Sequence, residues 1–156
     1  MSADSRLSPT TGFFGEDKIH RLPVRVYYED TDFSGIVYHA RYLHFFERGR
    51  TDSLRCLDIH HSELAAAEDP LAFAVRRMNI DFVLAARVDD ALVVETLYRP
   101  SKGARLMIEQ RLLRGEELIA TADVQAVCIS PEGRAKRPPK DVAAKWAPVV
   151  LALDSA

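Results

Sequence analysis

Three runs of alternating residues between Ala91 and Cys128 restrict this chain more than any other feature of its sequence. Ala91 to Arg99 places Leu92, Val94, Thr96 and Tyr98 on one side. Arg105 to Leu113 places Leu106, Ile108 and Leu112 opposite Arg105, Glu109 and Arg111. A longer last run aligns Leu118, Ala120, Ala122, Val124, Ala126 and Cys128. Side chains on a strand alternate between faces, so each run describes a strand with one buried face. Pro100-Ser101-Lys102-Gly103 and Arg114-Gly115-Glu116 are turn sequences. Parallel strands need long crossovers, so strands joined this closely form an antiparallel meander.

Upstream, Pro23 to Tyr28 reads as a first strand. Phe73 to Leu84 reads as another, interrupted at Arg76-Arg77, and Asp89-Asp90 marks the turn after it. The segment from about Tyr38 to Leu57 has helical spacing, with Tyr42, Phe45, Phe46, Leu54 and Leu57 on one face. Gly49 inside that helix costs stability, so close packing on a sheet is expected to compensate. A short helix over Ser62 to Glu68, with Ser62 as N-cap, ends at Pro70. A last helix is expected from about Asp141 to Leu151. One long helix among about five strands predicts an α+β domain with the helix covering one sheet face.

The 156 residues suit one domain, and 47% hydrophobic with 28% charged residues is the balance of a soluble globule. Residues 1–21 read as a polar tail broken by Pro9, Gly12 and Gly15, and residues 22–152 as the domain. No stretch resembles a signal peptide or the ~20 apolar residues of a membrane helix. A formal net charge of −2 argues against a nucleic-acid binder that grips phosphates. Cys56 and Cys128 form no metal or redox pair, which points to a reducing cytoplasm.

The histidines His20, His44, His60 and His61 show no metal-ligand spacing, so no metal and no cofactor are expected. There is no nucleophile elbow and no phosphate-binding glycine loop. The dense cluster is Tyr28-Glu29-Asp30-Thr31-Asp32-Phe33-Ser34-Gly35-Ile36-Val37-Tyr38-His39, where a strand gives way to the long helix. Unpaired N–H groups at a helix start can hold a developing oxyanion, and a carboxylate before it can face the polarised carbonyl. A thiol leaving group has a pKa near 8.5 and departs without strong acid help, so a thioester suits this small toolkit. Acidic residues in such a position also serve as plain helix caps.

The stretch from Val24 through Asp30-Thr31-Asp32, Gly35, Val37-Tyr38-His39-Ala40 and Tyr42 closely resembles the acyl-CoA thioesterases encoded with the Tol-Pal envelope system, relatives of 4-hydroxybenzoyl-CoA thioesterase. The likeness continues through Phe46-Glu47-Arg48, Arg50-Thr51 and Val75-Arg76-Arg77, and covers roughly residues 23–138. It implies a hot-dog fold, a long helix wrapped by an antiparallel sheet, with active sites at a dimer interface and dimers often joined into tetramers. It implies Asp32 as the catalytic carboxylate, by direct attack or by activating water. It implies the backbone N–H of His39 as the group that polarises the carbonyl, the His39 ring as an auxiliary, and Tyr28 near the site.

Asp30 reads as a turn or cap residue and Glu47 as a salt-bridge residue. Arg134, Lys136 and Arg137 form the one basic run and suit coenzyme A phosphates, although a solvated loop has the same composition. Lys102 is a weaker candidate for that task. The implied partners are an acyl-CoA and further copies of the chain; a peripheral membrane contact stays open. A hot-dog dehydratase or hydratase and a non-catalytic acyl-CoA scaffold are the competing readings. The first would want an Asp and His closer together, and the second would not need Asp32.

Overall fold

The computed structural model describes residues 11–153. It contains β1 (Phe13–Phe14), β2 (His20–Arg25), α1 (His39–Cys56), α2 (His61–Ala66), β3 (Ala72–Phe82), β4 (Ala91–Arg99), β5 (Arg105–Arg114), β6 (Glu117–Ile129) and α3 (Lys140–Trp146). The strands form one antiparallel sheet in the order β1-β2-β4-β5-β6-β3, and α1 lies against its inner face. This is the expected α+β arrangement, with five long strands and a sixth of two residues.

The alternation in the sequence becomes the sheet's two faces. Leu92, Val94 and Tyr98 of β4, Leu106, Ile108 and Leu112 of β5, and Ala120, Ala122, Val124 and Ala126 of β6 are buried. Across the sheet Val94 pairs with Leu112, and Ile108 with Val124. The helix contributes Tyr42, Phe45, Phe46 and Leu54 to the same core. Leu118 departs from its expected face: the register shifts between Leu112 and Leu113, so Ile119 is buried and Leu118 is half-buried. A second shift, between Val75 and Arg77, accounts for the Arg76-Arg77 interruption in β3.

Gly49 explains why the helix can lie so close. A Cβ there would meet Val94 Cγ1 at 2.6 Å, Thr96 Oγ1 at 3.0 Å and Gln110 Nε2 at 3.1 Å. The closeness lets Gln110 Nε2 donate to Phe46 O at 2.8 Å and to Thr96 Oγ1 at 2.9 Å. A buried amide is thereby paired, tying helix backbone to sheet.

Several boundaries differ from the sequence reading. The tail assigned to residues 1–21 contains β1 and the start of β2, while residues 1–10 lie outside those described. The cause is tertiary. His20 is fully buried, and its Nε2 meets Asp52 Oδ2 of α1 at 2.8 Å; Gly12 N donates to the same oxygen at 2.8 Å. The first strand also ends at Arg25 rather than Tyr28. Asp30 Oδ2 accepts from Tyr27 N at 2.8 Å and closes a 3-10 turn over Tyr28–Asp30, so local side-chain bonding displaces the ladder. The second helix starts at His61 after an N-cap of His60, with no Ser62 cap bond. The last helix is shorter and passes into a 3-10 turn, Ala147–Val149.

Gly49→Ala is expected to lower unfolding stability by about 1–3 kcal/mol despite alanine's better helix propensity, because the added methyl enters an occupied space; urea titration measures this. Burial pushes the His20 imidazole below its usual 6.5, against the pull of Asp52. The folded state then favours neutral His20 while the unfolded chain takes up the proton. Its contribution is therefore present above pH 6.5 and lost as pH falls below it. Stability measured from pH 7.5 down to 5.5 should decline more in the wild type than in His20→Gln.

Candidate active site

The cluster picked out in the sequence folds into a tight hairpin ahead of α1. Thr31 bridges Val37, Asp32 N donates to Ile36 O at 3.0 Å, and Gly35 N donates to Asp32 O at 3.0 Å. Gly35 has φ +83°, a left-handed conformation that glycine adopts without a Cβ clash. Val37 N donates to Ala86 O at 2.8 Å and Tyr38 N to Asp30 O at 2.9 Å, which fixes the hairpin to its surroundings.

Asp32 is exposed in the turn. Its Oδ1 accepts from Ser34 N at 2.8 Å and, at shorter range, from Ser34 Oγ. The Ser34 hydroxyl is the largest cause holding the Asp32 carboxyl below its usual 3.8, followed by the Ser34 N–H, with a smaller contribution from His39. Asp32 therefore stays ionised at neutral pH, with Oδ2 outside these bonds. Sequence reasoning gave Ser34 no role; an Asx turn two residues past a carboxylate was the available signal.

The carboxylate is not the cap of α1. Tyr38 is the N-cap and makes no side-chain cap bond, and among the described residues no side chain accepts from the N–H of His39 or Ala40. Asp32 and Ala40 share a cleft of about 530 Å³, lined also by Glu29, Thr31, Tyr38, Arg41 and His44; His39 is not among its lining residues. Phosphate, carboxylate or a developing oxyanion fits such a helix start. The His39 ring packs on Tyr38 at 4.6 Å and edge-on to Phe82 at 6.5 Å.

The remaining candidates separate. Tyr28 is 86% exposed and does not line the cleft. Asp30 is buried and braces the turn, accepting from Tyr27 N and lying 3.5 Å from Arg41 Nε. Glu47 accepts from Thr51 Oγ1 at 2.6 Å instead of pairing with a cation. In the basic run, Arg134 and Arg137 are exposed, whereas Lys136 pairs with Asp69 and reaches Pro70 O at 3.3 Å. Beside this loop, a groove of about 480 Å³ is bordered by Arg76, Lys102, Arg105, Gly133 and Ala135. The sequence scattered those three cations over two strands and a turn, and only strand pairing collects them. Among the described residues one trio of metal-ligating types lies together, His20, Asp52 and Cys56 within 4.8 Å, and its carboxylate oxygen already serves His20 and Gly12.

With this geometry in place, the comparisons are specific. Residues 26–147 match the family described as the thioesterase-like superfamily. The acyl-CoA thioesterase YbgC of Haemophilus influenzae is 51% identical over 108 residues, covering 69% of this chain and 79% of that protein. The acyl-CoA thioester hydrolase YbgC of Escherichia coli is 40% identical over 130 residues, covering 82% and 96%. A crystal structure of a probable thioesterase from Bartonella henselae superposes with a TM-score of 0.76 at 44% identity, over 78% of this chain and 99% of that one.

Ser34→Ala should raise the Asp32 pKa, because it removes the largest stabilisation of the ionised form. Carboxyl NMR titration of Asp32 in the two proteins reads the shift; an unchanged value would mean the hydroxyl does not act on the carboxylate.

Proposed function

Because the chain belongs to the thioesterase-like superfamily, we propose that its hydrolysis of acyl-CoA thioesters is carried out by Asp32 at the open start of α1. One observation supports this above the rest: an ionised, water-accessible carboxylate shares a cleft with the first turn of α1, at Ala40, where the N-cap makes no side-chain bond. In this reading the thioester carbonyl oxygen accepts from the N–H of His39, and negative charge grows there as the carbonyl carbon becomes tetrahedral. The reaction uses Asp32 Oδ2, since Oδ1 is held by Ser34. Oδ2 either attacks the carbonyl carbon or removes a proton from the attacking water. The C–S bond then breaks, and coenzyme A leaves as a thiolate that water protonates; after direct attack the acyl group remains on Asp32 as a mixed anhydride, which water hydrolyses to the free acid and the Asp32 carboxylate. No group beyond the substrate's own coenzyme A is needed. The His39 ring, held by Tyr38 and Phe82, lines the approach as an auxiliary.

The groove bordered by Arg76, Lys102 and Arg105 suits the coenzyme A phosphates, with Arg134 on the adjoining loop. Several cations in one concave surface match the charge and donor geometry that phosphates require. We place the enzyme in the cytoplasm, where its free Cys56 and Cys128 stay reduced.

The oligomer is part of this reading. β3 ends the sheet order, so one side of an eleven-residue strand has no neighbouring strand in the sheet. Val75 and Phe82 on it, and Val83 and Leu84 just beyond, are about half-exposed apolar residues. Two copies pairing β3 edge to edge extend the sheet and cover them.

Asp32→Asn is expected to reduce kcat by about a hundred- to ten-thousand-fold with thermal stability retained, read as thiol release from an acyl-CoA panel; normal turnover would remove Asp32 from the mechanism. In one turnover in 18O-labelled water, label found in the Asp32 carboxyl identifies direct attack, with water opening the resulting anhydride at Asp32 Cγ. The double variant Lys102→Ala with Arg105→Ala should raise KM for acyl-CoA by about tenfold, and more at low salt.

A further inference from the structure

At the end of α1 opposite the Asp32 hairpin, three side chains of metal-ligating types meet. Asp52 and Cys56 stand one turn apart on α1, and His20 opens β2 beside them. His20 Nε2, an Asp52 carboxylate oxygen and Cys56 Sγ all lie within 4.8 Å of one another. Asp52 Oδ2 is 2.8 Å from Nε2 and 3.8 Å from Sγ, and Gly12 O lies 3.5 Å from Sγ. His20 is fully buried and Asp52 is buried, whereas Cys56 is exposed and opens the cluster to water. The fold assembles this group: His20 lies 32 residues before Asp52, so no ligand spacing shows in the sequence.

Hydrogen bonding does not use up these groups. Neutral His20 gives its Nε2 proton to the Asp52 carboxylate, and the Gly12 N–H donates to the same Oδ2 at 2.8 Å. His20 Nδ1 is a buried polar atom with no hydrogen-bond partner among the described residues, so no second bond fixes the imidazole tautomer. The buried Asp52 carboxylate therefore faces a neutral ring, and buried charges are ordinarily paired with a full opposite charge or bound to a metal. Residue 12 is a glycine where it passes this pair. A Cβ there would come within 2.7 Å of His20 Nε2 and 2.8 Å of Asp52 Oδ2, so any side chain would crowd both donor atoms.

We propose that His20, Asp52 and Cys56 bind a divalent cation of the zinc class, which fastens the Gly12 segment and β2 to α1. Imidazole nitrogen, carboxylate oxygen and thiolate sulfur are donors that zinc takes in tetrahedral sites, at about 2.0–2.3 Å. Tetrahedral bonds of that length set neighbouring donors roughly 3.4–3.6 Å apart. The Nε2–Oδ2 separation of 2.8 Å then widens by about 0.6 Å, and the Sγ–Oδ2 separation of 3.8 Å closes by about 0.2 Å, both within side-chain adjustment. Gly12 O, beside Sγ, or a water takes the fourth position. The charges balance: the thiol loses its proton to water, the Nε2 proton passes to Nδ1, and a cation of charge +2 meets one carboxylate and one thiolate. The Gly12 N–H still donates to Asp52 and orients it. This cation is structural and takes no part in the Asp32 reaction.

The test uses the untagged full chain, reduced and stripped of metal. Zinc should bind at one equivalent per chain by calorimetry, with a Kd of about a micromolar or tighter, and should raise Tm. Cobalt(II) in its place should show the thiolate-to-metal charge-transfer absorption of a Cys56–cobalt bond. Cys56→Ser, at an exposed position, should keep the fold, lose that absorption and bind zinc about a hundredfold more weakly. Asp52→Asn, which keeps the side chain's size, should weaken zinc binding as well. Absence of zinc binding by the folded wild-type chain overturns the proposal. So does a charge-transfer absorption that survives in Cys56→Ser, which would place the thiolate at Cys128, and so does an unchanged zinc affinity in folded Cys56→Ser.

Discussion

The approach of α1 to the sheet at Gly49 is the contact on which the rest depends. It sets the helix height above β4 and β5, and a side chain at that point would occupy the space of Val94 Cγ1. At that height Gln110 reaches the helix backbone at Phe46 O, and Ser53 Oγ lies 2.5 Å from the buried Tyr98 hydroxyl. Polar groups buried deep in the interface are thus satisfied, and the helix aromatics Tyr42, Phe45 and Phe46 join the alanines of β6 in one core. A helix held this firmly has a fixed start, and the hairpin that carries Asp32 leads directly into it.

The site itself uses little. One short hairpin aims a carboxylate, and one uncapped helix end supplies donors. Ser34 keeps the carboxylate ionised by bonding to one oxygen and leaving the other available. Asp30, two residues earlier, has the same charge and a different task because its carboxylate is turned inward to Tyr27 N and Arg41. Chemistry and structure are divided between two neighbouring aspartates by the direction each side chain takes.

The sheet also has an open edge near α1. The edge of β3 has apolar residues half-exposed along it, and its two ends adjoin different features: the helix start at Phe82 and a cavity lined by Arg50 at Phe73. The groove beside the basic loop is an assembly of distant residues, since Arg76 comes from β3, Lys102 from a turn and Arg105 from β5.

Much of this was legible in the residue order. The alternation from Leu92 to Cys128 predicted the meander, the spacing of Tyr42, Phe45, Phe46 and Leu54 predicted the helix, and Gly49 signalled close packing, because periodicity and glycine report directly on buried faces. The Asp-Thr-Asp motif marked Asp32 for the same local reason: turn, carboxylate and helix start lie within a few residues. What the tertiary structure alone decided depends on residues far apart. The order in residues 13–21 follows from His20 finding Asp52 across the fold. Lys136 is diverted to Asp69, and Arg76, Lys102 and Arg105 come together, through strand pairing and loop placement. The gathering of Glu47, Arg50, Thr51 and His61 around one cavity appears only once the sheet has closed over the helix, because a sequence records which charges a chain carries and not which of them meet.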